Sequence, residues 1–299
     1  MFGSLILEVV IGIIFVYLLL SLICSAINEF ISMVLSRRSK NLEAGIQNLL
    51  SDPGNKSLVK DFYDHPLIKG LQQKGKKPPY IPSRTFALVL MDIIAPADPS
   101  TGSRALEYVR DSVAKLSNSH IKQVLLLFMD EAENNLNKAR EFLENWYDDA
   151  MERVSGWYKR KTQVIILCLS IAISVAFNAD TLMIANTLSR DAAIRASVVA
   201  AAENIRRQPL SSEQEPAWKQ LEKLQGKLLE HELPIGWSQV SGDSREVPRN
   251  FPAWVKKILG LLFTAIAVSL GAPFWFDMLN KFVNLRSSGI QPKTAKQQK

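Results

Sequence analysis

Residues 136–178 read LNKAREFLENWYDDAMERVSGWYKRK and then TQVIILCLSIAISVAFN, and this stretch decides the fold. In its first part, apolar residues recur at steps of three and four, which predicts one face of an amphipathic helix. That face consists of Leu136, Ala139, Leu143, Trp146, Ala150, Val154 and Trp157. Residues 162–179 then carry no charge, and as a helix they would measure about 27 Å, close to the hydrocarbon thickness of a bilayer. The sequence therefore predicts one long helix that runs from a water-exposed domain into a membrane.

Two further uncharged runs, residues 9–28 and 258–276, also meet the length criterion for a transmembrane helix. A buried helix of a soluble protein is the alternative for any single run, but the three runs together favour three spans. The first run has no positive segment before it and is longer than the apolar part of a signal peptide, so we expect it to be retained. Arg37, Arg38 and Lys40 follow it directly, which places its carboxyl end in the cytoplasm.

The predicted fold class is all-α, because no alternating β-branched run is long enough to indicate a sheet. Helices are expected at residues 84–95, 104–116 and 120–133, and at 180–207 and 217–232. The expected segments are 1–36 (first span), 37–161 (cytoplasmic helical domain), 162–179 (second span), 180–257 (extracytoplasmic helices and loop), 258–277 (third span) and 278–299 (basic, partly disordered tail). Alternation of the three spans then puts the N-terminus outside and the C-terminus in the cytoplasm.

The net charge of +7 would suit a nucleic-acid-binding protein, but the basic residues are not distributed as they would be on a nucleic-acid-binding surface. Basic residues cluster beside the apolar runs, a pattern that records membrane topology more often than a phosphate-binding surface. We therefore expect no nucleic-acid partner.

Signatures of catalysis, cofactors and metals are weak. Residues 70–77 nearly match a phosphate-binding loop, but Lys77 stands where the hydroxyl residue belongs and two prolines follow. His65, His120 and His231 are far apart in sequence and lack zinc-site spacing. The protein is predicted not to be an enzyme and to bind no cofactor or metal.

Small and polar residues recur along one face of the first span, at Ser21, Cys24, Ser25, Asn28 and Ser32. In lipid, such a stripe lets a second helix approach closely, although chance scatter explains it equally well. Glu8 and Glu29 are 21 positions apart, about 32 Å as helix, so we expect them at opposite interfaces rather than inside the membrane.

The end of the third span contains the remaining candidate residues. Pro273 should kink the helix, because it cannot donate to the carbonyl of Ser269. Trp275 suits the aromatic belt at an interface, and Asp277 and Lys281 form an i,i+4 pair of favourable order. The region is either an anchored, kinked helix end or a docking site for a partner or for the cytoplasmic domain.

Residues 271–281, GAPFWFDMLNK, resemble the C-terminal signature of a group of uncharacterised bacterial integral-membrane proteins. Residues 146–163, WYDDAMERVSGWYKRKTQ, are similar to the same proteins. The resemblance implies a bacterial inner-membrane location with three spans, and it implies no activity.

The leading expectation is a membrane-anchored scaffold or accessory subunit that recruits or organises partners at this membrane. The alternative is an oligomeric channel or transporter with Glu29 and Asp277 facing a water path. Expected partners are the lipid bilayer and membrane helices of the same or another chain, with a cytoplasmic protein as a further candidate. The residues expected to contact other helices or partners are Ser21, Ser25, Asn28, Glu29, Trp146, Trp157, Pro273, Trp275, Asp277 and Lys281.

Overall fold

The computed structural model describes residues 2–50, 57–72, 75–96, 106–116, 119–133, 135–207, 233–240 and 243–288. Within these ranges the chain forms α-helices and no named strand, and Ser238 and Glu246 form an isolated bridge. The helices are α1 (Phe2–Val34), α2 (Arg37–Leu50), α3 (Ser57–Asp64), α4 (Pro66–Lys69), α5 (Ser83–Ile94), α6 (Leu106–Ala114), α7 (Ser119–Glu131), α8 (Leu136–Ala176), α9 (Thr181–Arg190), α10 (Ala192–Arg207), α11 (Phe251–Ser269) and α12 (Ala272–Ser288). The all-α prediction is confirmed. The expected helix at 217–232 and the tail beyond 288 lie outside the described residues.

The chain divides into two compact units. The membrane unit comprises Met1–Ile31 and Thr162–Lys299, and the second unit comprises Ser32–Lys161. Each unit has its own apolar core. Helix α8 is continuous through the boundary at residue 162, so its two halves belong to different units.

Two helices are long and apolar enough to cross a membrane, namely α1 over Leu5–Val34 and α11 over Phe251–Ser269. Helices α8 and α9 form a pair bent by 48°, which makes a third crossing if the pair is one broken span. By length and composition, the described helices therefore offer two crossings or three, where the apolar runs predict three spans.

The bend between α8 and α9 has a local cause. Helix α8 ends at Ala176, three residues before the expected end of the second span, and Asn178 takes a left-handed conformation (φ 46°) that asparagine tolerates better than most residues. Asp180 then caps α9, its side chain accepting hydrogen bonds from the backbone N–H groups of Leu182 and Met183. A left-handed residue that is followed two positions later by a capping residue ends the first helix and lets a new one start.

Helix α1 forms the centre of the membrane unit. Nearly all of its residues from Ile11 to Leu20 are buried, and α9, α10, α11, α12 and the second half of α8 contribute to the same core. Residues 180–207 were expected to be helical, and they form α9 and α10, which pack against α1. Asp191 separates these two helices by ending α9 and accepting hydrogen bonds from the first N–H groups of α10.

The core of the second unit is formed by α2 to α7 and the first half of α8. On α8 the most deeply buried aromatic residue is Tyr147, not Trp146. The Tyr147 ring stacks on Phe86 at 4.3 Å, and its hydroxyl donates to the Ile81 carbonyl at 2.9 Å. Trp146 is half-buried beside Phe128, and Trp157 is 44% exposed, so the buried face lies one residue away from the expected stripe at this point.

Candidate functional site

A buried ion pair marks the bend between α8 and α9. The Asp180 Oδ2 and Lys257 Nζ atoms are 3.6 Å apart, and each residue is only 5% exposed. The other carboxylate oxygen caps α9, where the helix dipole favours a negative charge. The ammonium group also lies 3.8 Å from the Met183 sulfur and 5.4 Å from the centre of the Trp237 ring. The pair therefore joins the start of α9 to the first half of α11.

Gly260 makes this approach possible. A Cβ atom on Gly260 would lie 1.8 Å from Asp180 Oδ1, which no side-chain carbon can tolerate. One helical turn further on, Thr264 is hydrogen-bonded to Thr181 at 2.8 Å, and Thr181 is hydrogen-bonded to the Tyr17 hydroxyl at 2.8 Å. A chain of hydroxyl groups thus links α11, α9 and the central helix α1 beside the ion pair.

The loop before α11 packs on the same bend. The Asn178 side-chain amide donates to the carbonyls of Gly236 and Arg245, at 2.9 and 3.1 Å. The Trp237 indole donates to the Val175 carbonyl at 2.9 Å, and the Gly236 N–H donates to the Phe177 carbonyl at 2.6 Å, both at the end of α8. Hydrogen bonds from Arg245 hold the pKa of the Asp243 carboxyl well below its usual range, so this loop ion pair remains charged at neutral pH. These contacts hold the loop against the bend.

The chain reverses direction after α11, and the cause is Gly271 rather than Pro273. Gly271 has a φ of 90°, which ends α11 before the proline is reached. Pro273 lies in the first turn of α12, where its missing N–H is not needed, so the expected kink within a continuous span is wrong. Trp275 is half-buried; its indole donates to the Ala267 carbonyl at 2.6 Å and its ring contacts Tyr17 at 4.7 Å.

A cluster of charged residues connects the N-terminal part of α1 with α10 and with the C-terminal part of α12. Glu8 on α1 pairs with Arg195 and Arg286, each at 3.2 Å, and Arg286 also pairs with Glu203 at 2.7 Å. Glu8 was expected at the outer interface, and the chain after residue 277 in the cytoplasm. A direct contact excludes opposite sides of a membrane for Glu8 and Arg286, so that expectation is wrong. The physical reason is the reversal at Gly271, which returns α12 along α1.

The remaining predicted residues are dispersed. Ser21 is buried and donates to the Val268 carbonyl on α11 at 3.1 Å, next to the carbonyl that Trp275 contacts. Asn28 is half-buried, whereas the other candidates on α1 and α12 are exposed. These exposed candidates are Ser25, Glu29, Pro273, Asp277 and Lys281. Within the described part of the chain, Asp277 and Lys281 form no ion pair with each other, although their spacing permits one.

Sequence reasoning missed the ion pair. Residue 180 was expected to begin a helix, and no partner was expected for Lys257. The aspartate before Thr181-Leu182-Met183 is a common helix start and agrees with that expectation. The pairing with Lys257, 77 positions away, has no signature in sequence.

Gly260→Ala should destabilise the protein by about 1–3 kcal/mol or more, because the new methyl group displaces the Asp180 carboxylate. Unfolding of purified protein in increasing dodecyl sulfate, followed by helical circular dichroism, measures the loss. Gly156→Ala is the matched control, since nothing lies within 4 Å of a Cβ there and alanine favours a helix by about 1 kcal/mol. Equal stability of the two variants would contradict the close packing at Gly260.

Comparisons of the chain with family models, curated proteins and solved structures found no match. Among the described residues, no three His, Cys, Asp or Glu side chains converge as a metal site would require. The most distinctive chemical feature described is therefore the Asp180–Lys257 pair, which can hold a broken span together or carry charge within it.

Proposed function

We propose that the protein is a membrane-anchored scaffold or accessory subunit of the bacterial inner membrane that recruits or organises protein partners. The observation that supports this most is the continuity of α8. Its first half packs in the core of the second unit through Leu143, Tyr147 and Ala150, and its second half contributes Ile173 to the core of the membrane unit. A partner bound to the second unit would thus be held by a helix that continues into the membrane without a linker.

At both of its ends, the second unit is connected directly to a helix of the membrane unit. Only Leu35 and Ser36 separate α1 from α2, and α8 leaves the unit without a break. Arg37, Arg38 and Lys40 lie at the first connection, and Lys159, Arg160 and Lys161 lie at the second. Both basic clusters favour a cytoplasmic location for this unit by the positive-inside rule.

The Glu8–Arg286 contact changes the proposed orientation of the C-terminal helix. We place the N-terminal end of α1 and the C-terminal end of α12 outside and the second unit in the cytoplasm, which makes α12 a return crossing in addition to the candidate spans. In a chain with Cys24 and Cys168 replaced by serine, Leu285→Cys should react with a membrane-impermeant thiol reagent in intact cells. Lys60→Cys in the second unit should react only after permeabilisation. Protection of position 285 in intact cells would contradict this arrangement.

The scaffold proposal is tested by affinity capture of the full chain from detergent-solubilised membranes. We expect a partner in a fixed stoichiometry that depends on exposed apolar side chains of the second unit, of which Tyr80 (70% exposed) and Leu127 (63%) are prominent. Tyr80→Glu and Leu127→Glu should release the partner, and Glu141→Gln on the charged face of α8 should not. Absence of any stoichiometric partner would argue against a scaffold.

A channel or transporter is the second proposal, and the buried Asp180–Lys257 pair favours it. Ionisable residues at broken membrane helices often mark ion or substrate pathways. Glu29 and Asp277, the residues first expected to line a path, are exposed on the surface of the single chain. Ion flux into vesicles containing purified protein, lost in the Asp180→Asn/Lys257→Met double variant, would support transport. Flux equal to that of empty vesicles would exclude it.

A further inference from the structure

The chain leaves the membrane unit and re-enters it at the same end of that unit. The Cys24 sulfur on α1 lies 3.6 Å from the Ser170 hydroxyl oxygen on α8. Further back along α1, the Tyr17 hydroxyl is hydrogen-bonded to Thr181 at the start of α9. Residue numbers thus fall along α1 as they rise along α8 and α9, so α1 and α8 are antiparallel. The exit through α1 and the return through α8 therefore lie side by side.

Each of these two connections carries three basic residues of the second unit. We name the six residues the juxtamembrane basic cluster: Arg37, Arg38, Lys40, Lys159, Arg160 and Lys161. Five of them are exposed, and Arg37 is half-buried. None of the six side chains forms an ion pair with an acidic residue in the described part of the chain. Their positive charges therefore need a partner outside it.

Exposed apolar side chains adjoin both halves of the cluster. Met33, Val34 and Leu35 precede Arg37 and are exposed, and Trp157, close before Lys159, is exposed as well. Apolar and aromatic residues beside clustered Lys and Arg are typical of a segment at a bilayer surface, because the apolar groups enter the lipid and the cations meet the headgroups. A nucleic acid would neutralise the charges but would offer no hydrocarbon to the apolar side chains. The composition of this surface therefore favours lipid as its partner.

We propose that the juxtamembrane basic cluster binds the headgroups of anionic phospholipids in the leaflet where α1 and α8 leave the membrane. A net negative headgroup supplies the missing charge at the level where the cations lie. Each Lys or Arg near an anionic membrane surface adds to the attraction, so the six residues act together. The positive-inside rule concerns the orientation of the chain, whereas this interaction selects the lipids around the folded protein.

The test uses the full chain in nanodiscs that contain phosphatidylcholine and a smaller share of phosphatidylglycerol, with bromine on the acyl chains of one lipid or the other. Brominated chains quench tryptophan fluorescence on contact, and the difference between the wild-type chain and Trp157→Phe isolates the signal of Trp157. The share of phosphatidylglycerol at Trp157 should exceed its share in the bilayer by about fivefold or more at low salt. It should fall towards the bilayer value at about 0.5 M salt, because salt screens exposed charges.

A charge-neutral variant localises the effect. Replacement of all three residues 159–161 by glutamine should lower the enrichment by about threefold or more, since half of the cluster is lost. Arg37 and its two basic neighbours remain in this variant, so the orientation signal after α1 is kept. The matched control replaces three exposed lysines of the second unit that are far in sequence from both connections, and it should leave the enrichment unchanged. These lysines are Lys76, Lys115 and Lys138. Circular dichroism verifies that both variants are folded.

Three results would overturn the proposal. Equal quenching by the two lipids at low salt would mean that the cluster does not select anionic headgroups. No quenching of Trp157 by either lipid would mean that this surface does not lie at the bilayer. Enrichment that persists without the charges at 159–161 would mean that other residues attract the lipid. None of these results depends on whether the protein is a scaffold or a transporter.

Discussion

Asp180→Asn and Lys257→Met should each lower the free energy of unfolding by about 3–5 kcal/mol, and the double variant should recover most of that loss. The expected cost is large because each single change leaves a charge buried without its partner, at positions only 5% exposed. Asparagine keeps the oxygen that caps α9, so Asp180→Asn removes the charge and not the cap. The double variant carries neither charge and retains most of the packing volume.

Dodecyl sulfate unfolding of the wild-type chain, the two single variants and the double variant gives the complete double-mutant cycle. The coupling energy between the two positions should approach the sum of the two single losses and be opposite in sign. Asp277→Asn, at an exposed carboxylate on α12, is the control and should change the stability of the solubilised chain little. Additive losses at Asp180 and Lys257 would mean that the pair does not stabilise the bend.

Tyr147→Ala should cost about 3–5 kcal/mol, the range seen when large aromatic residues are removed from a core. Tyr147 is 2% exposed, stacks on Phe86 and bonds the Ile81 carbonyl, so its loss opens a cavity and leaves a buried acceptor unpaired. Tyr147→Phe removes only the hydroxyl and should cost about 1 kcal/mol. Chemical denaturation followed by near-ultraviolet circular dichroism, which reports aromatic packing, measures both variants.

The comparison with Trp146 distinguishes the observed face of α8 from the expected one. Trp146 is half-buried, so Trp146→Ala should cost clearly less than Tyr147→Ala. A larger loss of stability in Trp146→Ala than in Tyr147→Ala would mean that the buried face is the expected stripe that contains Trp146. Asp148→Ala, on the exposed face of the same helix, should stay within about 0.5 kcal/mol of the wild-type value.

The candidate site was only partly accessible from sequence. Ser21 and Trp275 were both singled out, and both contact the last carbonyls of α11. The sequence signal for both residues was a side chain with a polar atom within an otherwise apolar run. Glu8 was singled out as well, but its arginine partners, 187 and 278 positions away, could not be inferred from one sequence.

The sequence by itself determined the all-α class, the two strongly apolar helices and the long amphipathic helix continuing into the membrane unit. These features follow from local periodicity and run length, which depend on neighbouring residues only. Tertiary structure decided where the helices end and what they face. The left-handed conformation of Asn178 is stable because its side-chain amide bonds the carbonyls of Gly236 and Arg245, which are distant in sequence. The left-handed conformation of Gly271 is stable because the Trp275 indole, which is close in sequence, bonds the Ala267 carbonyl beside it. The Asp180–Lys257 pair exists because Gly260 leaves space for a carboxylate, a fact of packing that no hydropathy pattern contains.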